Sequence, residues 1–201
     1  MKEFNTKDIR NICLLGHSSS GKTTLAEAMI FNAGYTDRIG NVLNKEYSPE
    51  FQFELYELSI QDLMEPIIDI GCGSQAEFIN VLLQKEKDAF GIDRLLKDQN
   101  ERLIEISWLE YRFLPESWGT IYSNMAFSNH YIYALRDNPS DIIKYALKFE
   151  EILESLKING SFIYAPSLQE IENKVDKKKY EVMHIWKASG VTITKIKKIA
   201  M

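Results

Sequence analysis

Residues 66–73 read Pro-Ile-Ile-Asp-Ile-Gly-Cys-Gly, and a second apolar run, Ala89-Phe90-Gly91-Ile92, ends at Asp93. No other stretch constrains the fold as strongly. A short apolar run that ends in an acid and two spaced glycines predicts a buried strand turning sharply at its carboxyl end. Glycine has no Cβ, so backbone in such a turn can approach a ligand closely. Gln75 to Lys87 predicts a helix, because Phe78, Ile79, Leu82 and Leu83 fall at helical spacing. An acid at the end of the next strand is where a doubly wound sheet meets ribose hydroxyls.

The segment Asp69-Ile70-Gly71-Cys72-Gly73-Ser74-Gln75 resembles the first motif of class I S-adenosylmethionine-dependent methyltransferases, an acid followed by glycines at alternate positions. Gln75 stands where that family has its third glycine. A pyrophosphate needs the third glycine for close helix–strand packing, so the loop suits a dinucleotide poorly. The resemblance extends over about residues 48–198. Trp118 to Asn124 resembles the family's fourth strand, with Trp118-Gly119 in place of its aromatic-Asp pair. Ile142, Ile143, Ala146, Phe149, Ile152, Leu153 and Leu156 form one stripe of a helix from Asp141 to Leu156, with Ser140 as its cap and Asn159-Gly160 as its end. Ser161 to Ala165 then reads as the fifth strand. Tyr180 to Trp186, Ser189-Gly190 and Val191 to Ile196 read as a terminal hairpin. The implied fold is α/β, a Rossmann-like, doubly wound, mostly parallel sheet that ends in an antiparallel hairpin.

The N-terminal segment has another character. Gly16-His17-Ser18-Ser19-Ser20-Gly21-Lys22-Thr23 fits the phosphate-loop pattern at every specified position. Ile12 to Leu15 reads as a strand before it, and Thr24 to Ala33 as a helix after it. In such a loop Gly16, Ser19 and Gly21 line the phosphates, Lys22 reaches the β/γ-phosphates, and Thr23 holds Mg²⁺. Residues 1–42 resemble the start of the elongation factor G family of translational GTPases. The Asp-x-x-Gly and Asn-Lys-x-Asp segments that such a GTPase needs are absent; Asn44-Lys45-Glu46-Tyr47 has only the first two letters of the latter. One strand and one helix cannot bury a core of their own. The organisation expected is a truncated P-loop βα fragment at 1–42, a linker at 43–50 and a methyltransferase-like domain at 51–201, with no GTP hydrolysis.

Hydrophobic residues make up 45% of the 201-residue chain, enough for a full core. No apolar run approaches the ~18 residues of a membrane span, and a cytoplasmic protein is expected. Cys13 and Cys72 are expected to be reduced, and the three histidines have no metal-ligand spacing. Residues 1–45 carry six basic and four acidic residues, and residues 174–201 carry eight lysines against Asp176 and Glu181. With a total of −5, residues 46–173 are left with −13. So acidic a body argues against a long nucleic acid as substrate.

The methyltransferase resemblance implies S-adenosylmethionine as cofactor, and the alternative reading implies GTP and Mg²⁺. By that resemblance Asp69 lies near the methionine end of the cofactor, and Gly71, Cys72 and Gly73 offer it backbone. Asp93 accepts from both ribose hydroxyls. Trp108 and Leu109, after a third strand at Leu103 to Ser107, flank adenine. The segment Asn124 to Tyr131 lies where the family contacts its acceptor, a small molecule or a protein side chain. Asn124 is then expected to line the cofactor and to position the acceptor, and His130 to be its general base. Ser48-Pro49-Glu50 opens a further helical stretch, Phe51 to Met64, whose Phe51, Phe53 and Tyr56 are candidates to cover the cofactor. Two other readings stay open: a phosphate-loop nucleotide-binding protein, and a non-catalytic protein that uses the cofactor fold for binding alone.

Overall fold

The computed structural model describes residues 48–137, 139–188 and 190–200, with Leu25, Ala26 and Met29. The chain divides into two compact units, 1–47 and 48–201, and the second holds the sheet. Its strands are β1 (Ile67–Ile70), β2 (Ala89–Asp93), β3 (Leu103–Glu105), β4 (Trp118–Asn124), β5 (Leu156–Ala165), β6 (Tyr180–Trp186) and β7 (Thr192–Lys198). Its α-helices are α1 (Pro49–Leu55), α2 (Glu77–Gln84), α3 (Ala126–Asp137), α4 (Ile142–Glu154) and α5 (Gln169–Glu172). The strands form one seven-stranded sheet in the order β3-β2-β1-β4-β5-β7-β6. Strands β1 to β5 are parallel; β7 runs antiparallel to both β5 and β6.

Every residue of β1 is buried, as a parallel strand covered on both faces requires. Its side chains alternate between two cores. Ile68 and Ile70 join Phe127, Phe149 and Phe162 under α3 and α4. Ile67 points the other way, into Tyr56, Phe78, Leu82 and Tyr122 under α1 and α2. Each fully buried isoleucine contributes about 2 kcal/mol by removal from water. Asp69 shares the face of Ile67, so a carboxyl group is driven into an apolar layer by the register of its own strand.

The element boundaries differ from expectation where single residues take a left-handed backbone. Ala76 sits at φ 47°, so α2 starts at Glu77 and not at Gln75. Ser48 caps α1 by accepting from the Phe51 amide, but the helix stops at Leu55, with Glu57 at φ 51° just beyond, and only a short 3₁₀ turn, Ile60–Asp62, follows. Ser140 lies in a 3₁₀ turn, and Asp141, whose side chain makes no capping bond, is the residue at the start of α4. The chain leaves α4 through Ser155 straight into β5. The expected stop at Asn159-Gly160 is instead a break in register inside that strand, between the pairs Trp118–Leu156 and Thr120–Ser161.

Candidate cofactor site

The loop after β1 is built by its own amides. The Gly71 and Cys72 N–H groups donate to the Ile92 carbonyl at 2.8 and 3.2 Å, and the Gly73 N–H donates to Asp93 Oδ2 at 3.0 Å. Gly71 takes φ 76°, and a Cβ there would stand 2.3 Å from the Ala126 Cβ, so the first turn of α3 packs onto the loop only because residue 71 is glycine. Space beside Gly73 is open. With three amides engaged, the loop presents the Gly71 and Cys72 carbonyls, which accept no hydrogen bond among the described residues. It is a loop of acceptors, where a phosphate cradle needs donors.

Asp69 adds to that character. It is 3% exposed, and its Oδ1 has no hydrogen-bond partner. Burial, and then the charge of Asp93, push its carboxyl well above the usual carboxylate range. Burial followed by Asp69 and Asp93 pushes the Cys72 thiol up as well, so the cysteine stays neutral. Tyr56 and Tyr122 lie in the buried layer on the Asp69 face of the sheet, edge to face with ring centres 4.9 Å apart. The Tyr56 hydroxyl donates to Asn124 Oδ1 at 3.0 Å, and the Tyr122 hydroxyl donates to Gln52 Oε1 at 2.9 Å. Both phenols are pushed up, first by burial, with Asp69 adding to the effect, so both remain protonated donors. Of the expected aromatic cover, Tyr56 faces inward, Phe53 packs on Phe78, and Phe51 is exposed.

The other expected residues form a second group. Asp93 accepts from the Gly73 and Leu95 amides, one per oxygen, and each oxygen keeps one further acceptor position. Trp108 is buried against Phe127 and meets His130 edge to face at 5.7 Å. Leu109 is half-buried beside it, and its N–H makes no hydrogen bond among the described residues. Burial, and then the Arg94 charge, lower the His130 pKa against an opposing pull from Asp93. The two expected catalytic residues therefore have different neighbours: Asn124 is held by Tyr56, and His130 lies against Trp108 and Tyr145.

Two serines near them are structural. Ser123 donates to the Ile70 carbonyl and accepts from the Phe127 amide, and Ser128 donates to the Pro166 carbonyl. Gly119, where the related pattern has an acid, leaves no room for one: a Cβ there would lie 2.4 Å from the Met64 carbonyl oxygen. The expected phosphate-loop residues Gly16, Ser19, Gly21, Lys22 and Thr23 lie outside the described residues. Sequence reasoning missed a buried carboxylate network around Glu172, whose members Tyr164, Leu168, His184 and Thr194 show no motif in the chain.

Among solved structures, the chain is similar to the 1,6-didemethyltoxoflavin-N1-methyltransferase of Burkholderia thailandensis, at 10% identity over 95% of this chain and 94% of that one, with a TM-score of 0.50. The chain has the methyltransferase fold. An rRNA methylase from Streptococcus thermophilus is 13% identical over 76% of this chain and 97% of its own, at a TM-score of 0.49. A SAM-dependent methyltransferase from Methanosarcina mazei is 12% identical over 71% and 97%, at 0.44. No protein-family model matches the sequence, and no curated protein does. No helix among the described residues of this methyltransferase fold is long and apolar enough to cross a membrane.

Proposed function

We propose that the chain is an S-adenosylmethionine-dependent methyltransferase whose acceptor is a small molecule or a protein side chain. The observation that carries this reading is the lining of the loop: two open carbonyls and the unpartnered Asp69 carboxyl, which a cation would ionise into an acceptor, with no amide of Gly71, Cys72 or Gly73 left to donate. Such a site fits a ligand with an ammonium group and rejects a phosphate. The donors of the cofactor match the acceptors present: an ammonium for Asp69 and the loop carbonyls, two ribose hydroxyls for the free positions on Asp93, and a ring edge for the Leu109 N–H. The missing third glycine fits the same reading, since no pyrophosphate has to approach the helix.

Bound there, the cofactor supplies a methyl group on a sulfonium, open to direct displacement by a nucleophile. The chain's own residues have little covalent work; they align and exclude water. Tyr56 and Tyr122 close the Asp69 side. Asn124, fixed by Tyr56, offers its amide nitrogen to an acceptor. His130, kept neutral at pH 7 by burial and Arg94, has a lone pair to take a proton from an amine or hydroxyl. The acidic body between residues 46 and 173 supports a small or protein acceptor over a long nucleic acid.

Titration calorimetry with S-adenosylhomocysteine and with GTP tests the proposal. Binding of the former alone supports it, and binding of GTP with Mg²⁺ alone would replace it with the nucleotide-binding reading, which rests on residues 16–23. The proposal treats residues 1–42 as an appendage. A chain starting at residue 43 keeps Ser48 and α1 and is expected to unfold cooperatively and to bind cofactor.

A further inference from the structure

The Glu172 network serves none of the groups above. Glu172 is 4% exposed. Its Oε1 accepts from the Leu168 amide at 2.6 Å, the Tyr164 hydroxyl at 2.7 Å and the Thr194 hydroxyl at 2.8 Å, and its Oε2 lies 2.7 Å from His184 Nε2. Burial pushes the carboxyl up, but the bonds from Leu168, His184, Tyr164 and Thr194 outweigh it and hold the group below its ordinary value. An ionised carboxylate only accepts, so His184 Nε2 carries a hydrogen. The free ring nitrogen is Nδ1, which has no partner among the described residues.

A buried anion with four donors fixes this one imidazole, yet the ring is not itself buried: the His184 side chain is 34% exposed. Trp186, two residues further along β6 and on the same face, is 72% exposed, whereas Trp108 and Trp118 are 5% and 7% exposed. His184 and Trp186 line one cleft of about 190 Å³ with Pro166, Ser167 and Thr192. Pro166 directly follows Ala165, which pairs with Asn124 of β4. The cleft therefore begins one strand away from Asn124, about 5 Å, and extends outward along the carboxyl edge of the sheet toward β6.

We propose that this cleft is the acceptor subsite, in which a flat aromatic part of the acceptor stacks on Trp186 and donates an O–H or N–H to His184 Nδ1. The proposal rests on the methyltransferase reading and names the acceptor class: an elongated molecule whose aromatic end, on Trp186 of β6, lies three strand spacings, ~14 Å, from the Asn124 end of β4. Contacts that far from the reacting centre supply the binding energy that orients it. Glu172 is a positioning residue, acting only through the ring it holds.

Saturation-transfer NMR on the full chain with S-adenosylhomocysteine present tests it, with phenol and indole as probes and toluene and cyclohexanol as controls. Phenol and indole are expected to bind more tightly than toluene, and cyclohexanol least. Trp186→Ala weakens phenol at least about fivefold. His184→Gln keeps an N–H toward Glu172, removes the second ring nitrogen, and brings phenol down to the level of toluene. Both variants keep the parent's S-adenosylhomocysteine affinity and near-ultraviolet dichroism. Phenol affinity within about twofold of the parent in both variants overturns the subsite. Failure of the parent to bind S-adenosylhomocysteine, with the phenol pattern intact, overturns the acceptor role while identifying the methyltransferase reading as the faulty step.

Discussion

The Gly73 amide donates to Asp93 Oδ2 at 3.0 Å, so the glycine loop and the acid that ends β2 are one hydrogen-bonded unit. The Leu95 amide occupies the other oxygen at 2.8 Å. Asp93 thus has a structural duty beside its expected one, and a variant must separate them. Asp93→Asn keeps one carbonyl oxygen for the loop and is expected to weaken S-adenosylhomocysteine by about 1.5–3 kcal/mol, the range for hydrogen bonds to a charged group. Calorimetry checks this, and an unchanged affinity would remove the ribose assignment.

Asp69 predicts a conflict between stability and binding. Its folded pKa is raised by burial and by Asp93. A raised carboxyl contributes stability that is complete below its unfolded value, about 3.9, and is lost as pH rises through the folded value. The ligand-free parent should therefore lose melting temperature as pH climbs above about 4, and Asp69→Asn should lose less. The same variant should bind S-adenosylhomocysteine more weakly, because the ammonium partner has lost its charge. Parallel melting curves for parent and variant across pH would contradict the burial argument.

Tyr56→Phe removes the donor to Asn124, together with the hydroxyl that meets Tyr122 and the Met125 amide. The expected cost is about 1 kcal/mol of folding stability, read from urea midpoints at constant slope. Under the proposed function, the loosened Asn124 should also lower turnover while S-adenosylhomocysteine affinity stays within about twofold.

Gly119→Asp restores the acid of the related pattern and is expected to damage the fold. Its Cβ would overlap the Met64 carbonyl, which is backbone and cannot swing aside. A loss above about 2 kcal/mol is expected, with Gly119→Ala nearly as harmful. Wild-type thermal stability in both variants would show that the 64–66 segment yields freely.

The positions of strands along the chain were legible in the sequence wherever an apolar run met a turn residue. Ile67 to Gly73, Ala89 to Asp93 and Trp118 to Asn124 announce themselves by burial and glycine. Helix ends were less legible, because Ala76 and Glu57 adopt left-handed backbone that their side chains do not advertise. The candidate site divided in the same way. Asp69 and Asp93 stand beside glycines in one motif, while Glu172, His184 and Thr194 meet only through the pairing of β5, β6 and β7. Long-range pairing leaves no local trace, so a carboxylate with four donors looked like an ordinary glutamate.

Strand β7 follows the other six strands in the chain, yet it lies between β5 and β6. Until residues 192–198 are in place, β5 is a buried-type strand with one open edge, and β6 has nothing to pair with. During synthesis the sheet therefore waits on its latest-made strand, with the β5 edge from Ser161 to Tyr164, which β7 later pairs, left as a template for any passing chain. Pairing over such sequence distance is slow to nucleate. The β5 edge is therefore open for as long as residues 192–198 are unmade, and closes only when the last strand arrives between two that were made before it.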